Sequence, residues 1–431
     1  MKPKLCRAVQ ERAEAGREQM AALLADLIRI PSLSCHEEAV VARIRAAMEE
    51  AGFDEVRIDG LGSVIGRIGN GPVHIAMDAH IDTVDVGNRA DWHFDPYEGR
   101  IVDGKVWGRG AADQKGGMAA LIHAGRLIRE LDLAGSCTLS ITGTVMEEDC
   151  DGLCWQHLIR EERLRPEVCV LTEPTACRVY RGQRGRMEIE IEVRGRSAHA
   201  SAPERGRNAI YGMAEIVKAI ERLAPELPAD EFLGAGSMAV THFLGEGPSL
   251  CAIPDIARAH IDRRLTWGET RDSVMAAIES VVRRFPWAAE GEVRIAVKSY
   301  ARPAYTGKVY PTEAVFPAWT VDRLHPAVEA AHDVRRELLA TGAAAWRGAL
   351  EEGAATAGQE RWTFSTNGVA ICGLHGIPCV GFGPAYEEQA HAPDESCPID
   401  HLVRAAAFYA CFPRMYEEKR RGAGEGRTEG R

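Results

Sequence analysis

The feature that most constrains the fold is a change in hydrophobic period near Arg186. Before it, short apolar runs such as VCVL alternate with longer amphipathic runs such as MAALIHAGRLIREL. Short buried strands separated by helices are typical of an α/β domain with a mostly parallel sheet. From residue 187, MEIEIEVRG alternates strictly between apolar and polar residues. This second pattern indicates a strand with one exposed face, and therefore a different kind of sheet.

The segment 187–300 continues as strand, helix, strand, strand, helix and strand. This order predicts a ferredoxin-like α+β unit inserted into the larger α/β domain. After Pro303 the α/β pattern returns, with CVGFGP as a short buried strand. We therefore expect the larger domain in two parts, 1–186 and 301–417, around the insertion. The polar, Gly-rich end at 418–431 predicts a disordered tail.

Charge and composition exclude several classes of protein. Lys and Arg number 52 against 63 Asp and Glu, a net charge of −11 that disfavours binding to nucleic-acid phosphates. No stretch of the sequence approaches the ~20 apolar residues of a membrane-spanning helix. Charges interrupt the N-terminal MKPKLCRAVQERAEAG, unlike a signal peptide. We expect a cytoplasmic protein that binds neither nucleic acid nor membrane.

Metal-ligating side chains follow one apolar strand after another, where active-site groups of open α/β sheets gather. In chain order the candidates are His80 and Asp82 in HIAMDAHIDTV, Asp113 in KVWGRGAADQKGG, Glu147 and Glu148 in TGTVMEEDCDG, Glu173 in VCVLTEP, and His391 in EEQAHAPDE.

Each candidate alone has a structural explanation. His80 could be a satisfied buried histidine, Glu173 a helix cap, and the Glu147–Glu148 pair a solvated turn. Together they are hard to explain as decoration, because imidazole and carboxylate groups are the ligands of catalytic zinc and related ions. Two histidines and three acids suffice for a two-metal site, and one further carboxylate remains to handle protons. Asp82, two residues beyond His80, is placed to orient a ligating histidine.

The strings HIDTV, GRGAADQKGGMAA, TVMEED, TEP and SAHASAPERGRNAI together resemble the metallopeptidase family of acetylornithine deacetylase, succinyl-diaminopimelate desuccinylase and glutamate carboxypeptidase. The resemblance spans about residues 20–415. It implies a catalytic domain that binds two divalent ions, with zinc favoured and cobalt or manganese as alternatives. It also implies that the inserted unit is a lid through which two copies form a homodimer.

The family pattern implies a role for each candidate. The implied ligands are His80 and Glu173 for the first ion, Asp113 as the bridge, and Glu148 and His391 for the second ion. Glu147 matches the general base, and Asp82 matches the acid beside the first histidine. The resemblance thus implies hydrolysis of an amide bond by a metal-bridged water.

The resemblance also implies roles for residues outside the ligand set. His199, in SAHAS, resembles a lid histidine that reaches the neighbouring subunit's site and stabilises the oxyanion. Asn208 and Arg264 match lid positions that grip a substrate carboxylate or the oxyanion, although Arg264 could instead form a surface salt bridge within IDRRL. Asn367, in STNG, is either a substrate contact or a turn residue.

Two substrate classes and one inactive role remain open. By the family resemblance, glutamate at position 173 implies an N-acyl amino acid or a dipeptide-like substrate. The strings FSTNGVAICGLHGIPCVGFGP and EEQAHAPDE resemble a branch of hydrolases associated with selenium metabolism and purine breakdown, which favours carbamoylated or acylated diamino acids. A catalytically silent binding module is the third reading. It is disfavoured because all five ligand positions and Glu147 are present.

Overall fold

The computed structural model describes residues 3–349 and 360–428. The helices are, in chain order, α1 (Pro3–Ala15), α2 (Arg17–Ile28), α3 (Glu38–Glu50), α4 (Lys115–Glu130), α5 (Leu153–Arg160), α6 (Ala209–Leu223), α7 (Arg271–Val282), α8 (Pro286–Ala289), α9 (Pro326–Leu339) and α10 (Ile399–Thr428). Among these described helices, none combines the length and apolar character needed to cross a bilayer.

The strands form a large mixed sheet, a second antiparallel sheet and several small pairings. They are β1 (Glu55–Ile58), β2 (Val64–Ile68), β3 (Val73–His80), β4 (Arg100–Val102), β5 (Lys105–Trp107), β6 (Cys137–Thr144), β7 (Val168–Leu171), β8 (Gly182–Gln183), β9 (Gly185–Arg194), β10 (Ala229–Asp230), β11 (Gly234–Ala235), β12 (Ser237–Glu246), β13 (Ile256–Leu265), β14 (Val293–Val297), β15 (Ser299–Tyr300), β16 (Thr312–Glu313), β17 (Val315–Phe316), β18 (Trp319–Thr320), β19 (Cys379–Gly381) and β20 (Ser396–Pro398).

The larger sheet has the order β1-β2-β6-β3-β7-β19. Strands β6, β3, β7 and β19 run parallel, and β2 and β1 add antiparallel strands at one edge. Helix α4 packs on β3, and α10 packs on α4, α9 and α1. The sheet is thus mostly parallel and is covered by helices, which confirms the predicted α/β class. Because β3 lies between β6 and β7, the carboxyl ends of three parallel strands meet at one edge.

The second sheet has the order β12-β13-β9-β14, and all its pairings are antiparallel. Helix α6 packs on β9, β12 and β13, and α7 packs on α6. The apolar residues of β9 join these helices in a hydrophobic cluster separate from that of the larger sheet. This is the predicted ferredoxin-like arrangement, with the other face of the sheet left open. We keep 187–300 as the proposed bounds of this unit.

The C-terminal helix differs from the sequence prediction. Helix α10 continues to Thr428, whereas a disordered tail was predicted over 418–431. The correction applies to residues 418–428, and residues 429–431 lie outside the described part of the chain. The apolar side of this helix, including Phe408, Phe412 and Tyr416, packs in the main core. Residues 418–428 therefore extend a helix that tertiary packing already stabilises.

Candidate metal centre

Three neighbouring parallel strands bring acidic and imidazole groups to one edge of the larger sheet. His80 is the last residue of β3, Glu147 and Glu148 follow β6, and Glu173 follows β7. In the register, His80 lies opposite Thr144 of β6, so the two strands end together. The segment that follows β6, residues 146–151, is here called the acidic turn.

These side chains line a cavity of about 320 Å³. Its walls include all the predicted ligands, Glu147 and Arg264; the ligands are His80, Asp113, Glu148, Glu173 and His391. Ligand atoms of His80, Asp113 and Glu148 all lie within 4.8 Å of one another. The fold therefore brings together residues that are more than 300 positions apart in the chain.

Asp113 lies between the two imidazoles. Its Oδ1 is 2.9 Å from Nε2 of His80, and its Oδ2 is 3.4 Å from Nε2 of His391. His391 Nε2 is also 2.9 Å from Oε2 of Glu148, while His80 Nε2 is 3.8 Å from Oε1 of Glu173. The groups thus form two sets, His80 with Glu173 and His391 with Glu148, which share the Asp113 carboxylate.

Unsatisfied oxygens show that the protein alone does not complete this site. One carboxylate oxygen each of Glu147, Glu148 and Glu173 is buried and has no hydrogen-bond partner among the residues that the structure describes. Burial, reinforced by neighbouring carboxylates, raises the pKa of Glu148 to about 7 and those of Glu147 and Glu173 well above their usual range. Buried carboxylates that repel one another need cations, and this oxygen and imidazole donor set suits zinc and related divalent ions.

The same carboxylates favour the charged form of both imidazoles and so raise the pKa of each histidine. Hydrogen bonds with Asp113 and Glu148 raise the pKa of His391 to about 10. Burial opposes protonation of His80, but its hydrogen bond with Asp113 and the nearby glutamates raise its pKa well above the usual value. In the absence of cations, protonated histidines supply the positive charge that these carboxylates require.

The role of Asp82 differs from the prediction in one respect. Nδ1 of His80 lies 3.0 Å from the backbone carbonyl oxygen of Asp82, whereas the nearer carboxylate oxygen is 3.6 Å away. The carboxylate instead accepts hydrogen bonds from the backbone N–H groups of Glu147 and Glu148 and from the Ser34 hydroxyl. The main chain of Asp82 therefore orients His80, and its side chain holds the acidic turn.

Two further buried acids support the site and were not predicted. Glu37 accepts a hydrogen bond from the backbone N–H of Met146, at 3.1 Å, where the acidic turn adopts a left-handed φ of 62°. A non-glycine residue in that conformation is strained, so it persists only where neighbours hold it. Glu395 accepts from the backbone N–H of Asp113 at 2.9 Å and pairs with the buried Arg109 at 2.7 Å. Both glutamates come from distant segments, so their spacing in the sequence gave no signal.

Arg264 faces the cavity from the inserted sheet. It lines the cavity and also pairs with Asp262, with Nε 2.8 Å from Oδ1; its contact with a substrate stays a prediction. Arg186 lies directly opposite Arg264 in the pairing of β9 with β13 and lines the same cavity. Arg186 and its partner Asp151 were not singled out from the sequence.

Three predicted substrate or oxyanion contacts do not line the cavity, namely His199, Asn208 and Asn367. His199 is exposed, its Nδ1 is bonded to Ser201, and it does not line the cavity. Asn208 caps helix α6 by accepting a hydrogen bond from the backbone N–H of Ile210.

The structure places Asn367 in a turn, one of its two predicted readings, and away from the cavity lining. Its amide nitrogen donates to Asp78 and Thr144, and its oxygen accepts from the backbone N–H of Gly152. The side chain is buried and is committed to the core behind the cavity. Residue type and local sequence could not reveal this, because the partners come from three different elements.

The chain is similar to known proteins in both sequence and fold. Residues 76–414 match the peptidase family M20/M25/M40. The chain is 48% identical over 405 residues to the uncharacterized protein YgeY of Escherichia coli K12, covering 94% of this chain and 96% of that protein. It is 31% identical over 292 residues to the succinyl-diaminopimelate desuccinylase of Cereibacter sphaeroides ATCC 17023, covering 64% of this chain and 75% of that enzyme.

Among solved structures, the fold is similar to YXEP of Bacillus subtilis, a dinuclear metal binding peptidase of the M20 family. The TM-score is 0.64 at 16% identity, over 94% of this chain and 99% of the other.

Proposed function

We propose that this chain, which belongs to the peptidase family M20/M25/M40, cleaves an amide bond with Glu147 as general base. The chain is a metal-dependent hydrolase of amide bonds by its family. The observation that carries the specific role is the position of Glu147. Its carboxylate lines the cavity beside the ligand set, 3.9 Å from Nε2 of His80, and retains a buried oxygen without a partner.

We assign the metal-binding role to the two sets that share Asp113. His80 and Glu173 would hold one ion, Glu148 and His391 the other, and the two oxygens of Asp113 would serve both. Zinc is the proposed metal, because its usual ligands are imidazole and carboxylate groups. Such ions, when bound, polarise a carbonyl and lower the pKa of water from ~15.7 towards ~7.

Glu147 has the properties that a proton carrier needs. Burial and neighbouring carboxylates raise the pKa of Glu147, the direction that allows one carboxylate to take a proton from water and return it to the leaving amine. Asp82 holds the backbone N–H of Glu147 at 3.2 Å and so limits the movement of this side chain. General-base catalysis of this kind contributes about 10²–10⁴-fold to a rate.

The substrate we propose is an N-acyl amino acid or a dipeptide-like amide. Glutamate at position 173 and the similarity to a desuccinylase support this class. Arg264 on the opposite wall supplies a positive charge for a substrate carboxylate. Carbamoylated or acylated diamino acids are the alternative, favoured by the strings around Asn367 and His391.

We also propose that the chain forms a homodimer through the inserted sheet. Strand β12 ends that sheet, so one of its edges has no partner strand within the described residues. Phe243 and Leu244 of β12 are exposed, as are Tyr211 on α6 and Leu250 beyond the strand. Exposed apolar side chains beside an open strand edge are typical of a surface that another chain covers. His199, exposed on the same unit, would then approach the partner's cavity.

The test is a hydrolysis screen with zinc, cobalt or manganese. The panel holds N-acetyl, N-succinyl and N-carbamoyl amino acids and simple dipeptides, with Glu147→Gln as the inactive variant. Glu161→Gln, an exposed glutamate outside the cavity, is the matched control. We expect Glu147→Gln to retain the metal content of the wild type and to lose at least about 100-fold in turnover, with Glu161→Gln unchanged. Equal turnover in Glu147→Gln and wild type would refute the assignment of the base.

A further inference from the structure

The acidic turn contains two acids that have no part in the proposed chemistry, Asp149 and Asp151. Oδ2 of Asp149 accepts a hydrogen bond from the Tyr300 hydroxyl at 2.7 Å and another from the Arg302 guanidinium. Oδ2 of Asp151 accepts from Nη2 of Arg186 at 3.0 Å. Asp151 lines the cavity, Asp149 does not, and both acids bind side chains from another part of the fold.

Those partners lie where the chain passes between the two sheets. Arg186 stands near the start of β9, the strand with which the chain enters the inserted sheet. Tyr300 ends β15, which follows β14, the strand with which the chain leaves that sheet. The segments by which the chain enters and leaves the inserted sheet are thus both hydrogen-bonded to the acidic turn, which carries Glu147 and Glu148.

The contact with Tyr300 is better shielded than the contact with Arg302. The Arg302 side chain is 55% exposed, whereas that of Asp149 is 27% exposed and Tyr300 is partly buried. An exposed ion pair is weakened by solvent, but a partly buried hydroxyl that donates to a carboxylate keeps its strength. The two ends of the turn are consequently held differently, by Glu37 and Asp82 at the start and by Tyr300 near the end.

We propose that the Tyr300–Asp149 hydrogen bond is a positioning contact that fixes Glu148, and through it Glu147, relative to the inserted sheet. Asp149 follows Glu148 directly in the chain, so a displacement of Asp149 also moves Glu148, the adjacent proposed ligand. Tyr300 does not line the cavity, and the described partners of its hydroxyl are Asp149 and the Cys35 thiol. The effect on catalysis rests on the proposed role of Glu147, while the effect on metal binding does not.

The test compares Tyr300→Phe with Tyr305→Phe. Each change removes one hydroxyl from the segment that follows the inserted sheet. The Tyr305 hydroxyl, however, donates to the Gly62 carbonyl, outside the cavity. We expect Tyr300→Phe to weaken zinc binding about tenfold in competition with a chromophoric chelator, as is usual for partners that orient metal ligands. We also expect a similar fall in kcat with KM nearly unchanged, because no substrate contact is lost. Tyr305→Phe should match the wild type in both measurements.

A double-mutant cycle separates positioning from general destabilisation. If the hydroxyl acts through Asp149, Tyr300→Phe combined with Asp149→Ala loses no more zinc affinity than Asp149→Ala alone. Should Tyr300→Phe fail to fold, Asp149→Asn weakens the same hydrogen bond from the acceptor side and is compared with Tyr305→Phe in its place. Zinc affinities that are equal in Tyr300→Phe and Tyr305→Phe, or losses that add in the double variant, would overturn the proposal. If the wild type hydrolyses no member of the panel, the proposed function fails. The zinc measurement still decides whether the Tyr300–Asp149 hydrogen bond positions Glu148.

Discussion

The carboxylate of Asp82 accepts a hydrogen bond from the backbone N–H of Glu147 at 3.2 Å. It accepts a second from the N–H of Glu148 at 3.1 Å, so one side chain at the end of β3 holds the turn after β6. The proposed general base and a proposed metal ligand therefore depend on the same buried anion. Because the Asp82 carboxylate is fully buried, its loss leaves both backbone donors without this acceptor.

Replacing Asp82 by alanine tests this dependence. We expect Asp82→Ala to lower turnover about 10–100-fold, the usual effect of removing a partner that orients a metal site. Asp85→Ala is the matched control, since Asp85 lies exposed in the same segment and its carboxylate accepts only a local hydrogen bond from Gly87. Steady-state kinetics on a substrate found in the screen provide the measurement. Similar rates for the two variants would contradict the proposed function of the Asp82 carboxylate.

Removal of metal should lower stability as well as activity. The carboxylates of Glu147, Glu148 and Glu173 repel one another, and burial alone already raises each pKa. Binding to the folded state alone stabilises by about 4 kcal/mol when the free ion is ~1,000 times its Kd. We therefore expect a higher Tm in zinc than in chelator, measured by scanning calorimetry. The same shift in His391→Ala as in wild type would show that the ion binds elsewhere.

Glu37 should make stability depend on pH. Burial, followed by repulsion from Asp82, raises the pKa of Glu37 to about 8 from a usual value near 4.5. Between those values the folded protein holds a proton that the unfolded chain has released, so stability falls as pH rises. Below about pH 4.5 both states are protonated and the effect vanishes.

Glu37→Gln removes this titration. Chemical denaturation at pH 5.5 and pH 8.5 should show a smaller loss of stability for the variant, with a difference on the order of 1–4 kcal/mol. Glu38→Gln, at an exposed neighbouring position, should retain the wild-type slope. A variant Glu37→Gln with that same slope would mean that Glu37 is ionised in the folded protein.

The proposed dimer predicts complementation between two inactive variants. Phe243→Asp places a charge beside the open edge of β12 and should yield monomers in light scattering, with the metal content retained. Mixing Glu147→Gln with His199→Ala chains should then restore part of the activity, since one site of each mixed dimer has both intact residues. No recovery after verified exchange of subunits would leave His199 without a role in the neighbouring site.

The sequence predicted those parts of the site that follow from strand order. His80, Glu148 and Glu173 were identifiable because each follows an apolar strand, and parallel strands deliver their ends to one edge. The sequence could not choose between the two readings of Asn367, because its hydrogen-bond partners, Asp78, Thr144 and Gly152, come together only through tertiary packing.

The unpredicted supports have a common physical origin. Glu37 and Glu395 bind backbone N–H groups of segments far away in the chain, and such contacts leave no periodic pattern. The end of α10 was missed for a related reason, since the polarity and glycines of 418–428 are outweighed by the packed helix that precedes them. Local preference is a weak guide wherever tertiary contacts set the conformation.

The order of the ligands along the chain has a consequence for biosynthesis. His80, Asp113, Glu148 and Glu173 all precede the inserted sheet, and His391 follows it. At about 5–20 residues per second, the ribosome delivers the last proposed ligand roughly 10–40 seconds after the others. During that interval four of the five proposed ligands already exist in the nascent chain. On this assignment, the second ion would be captured only after the inserted sheet and His391 have been synthesised.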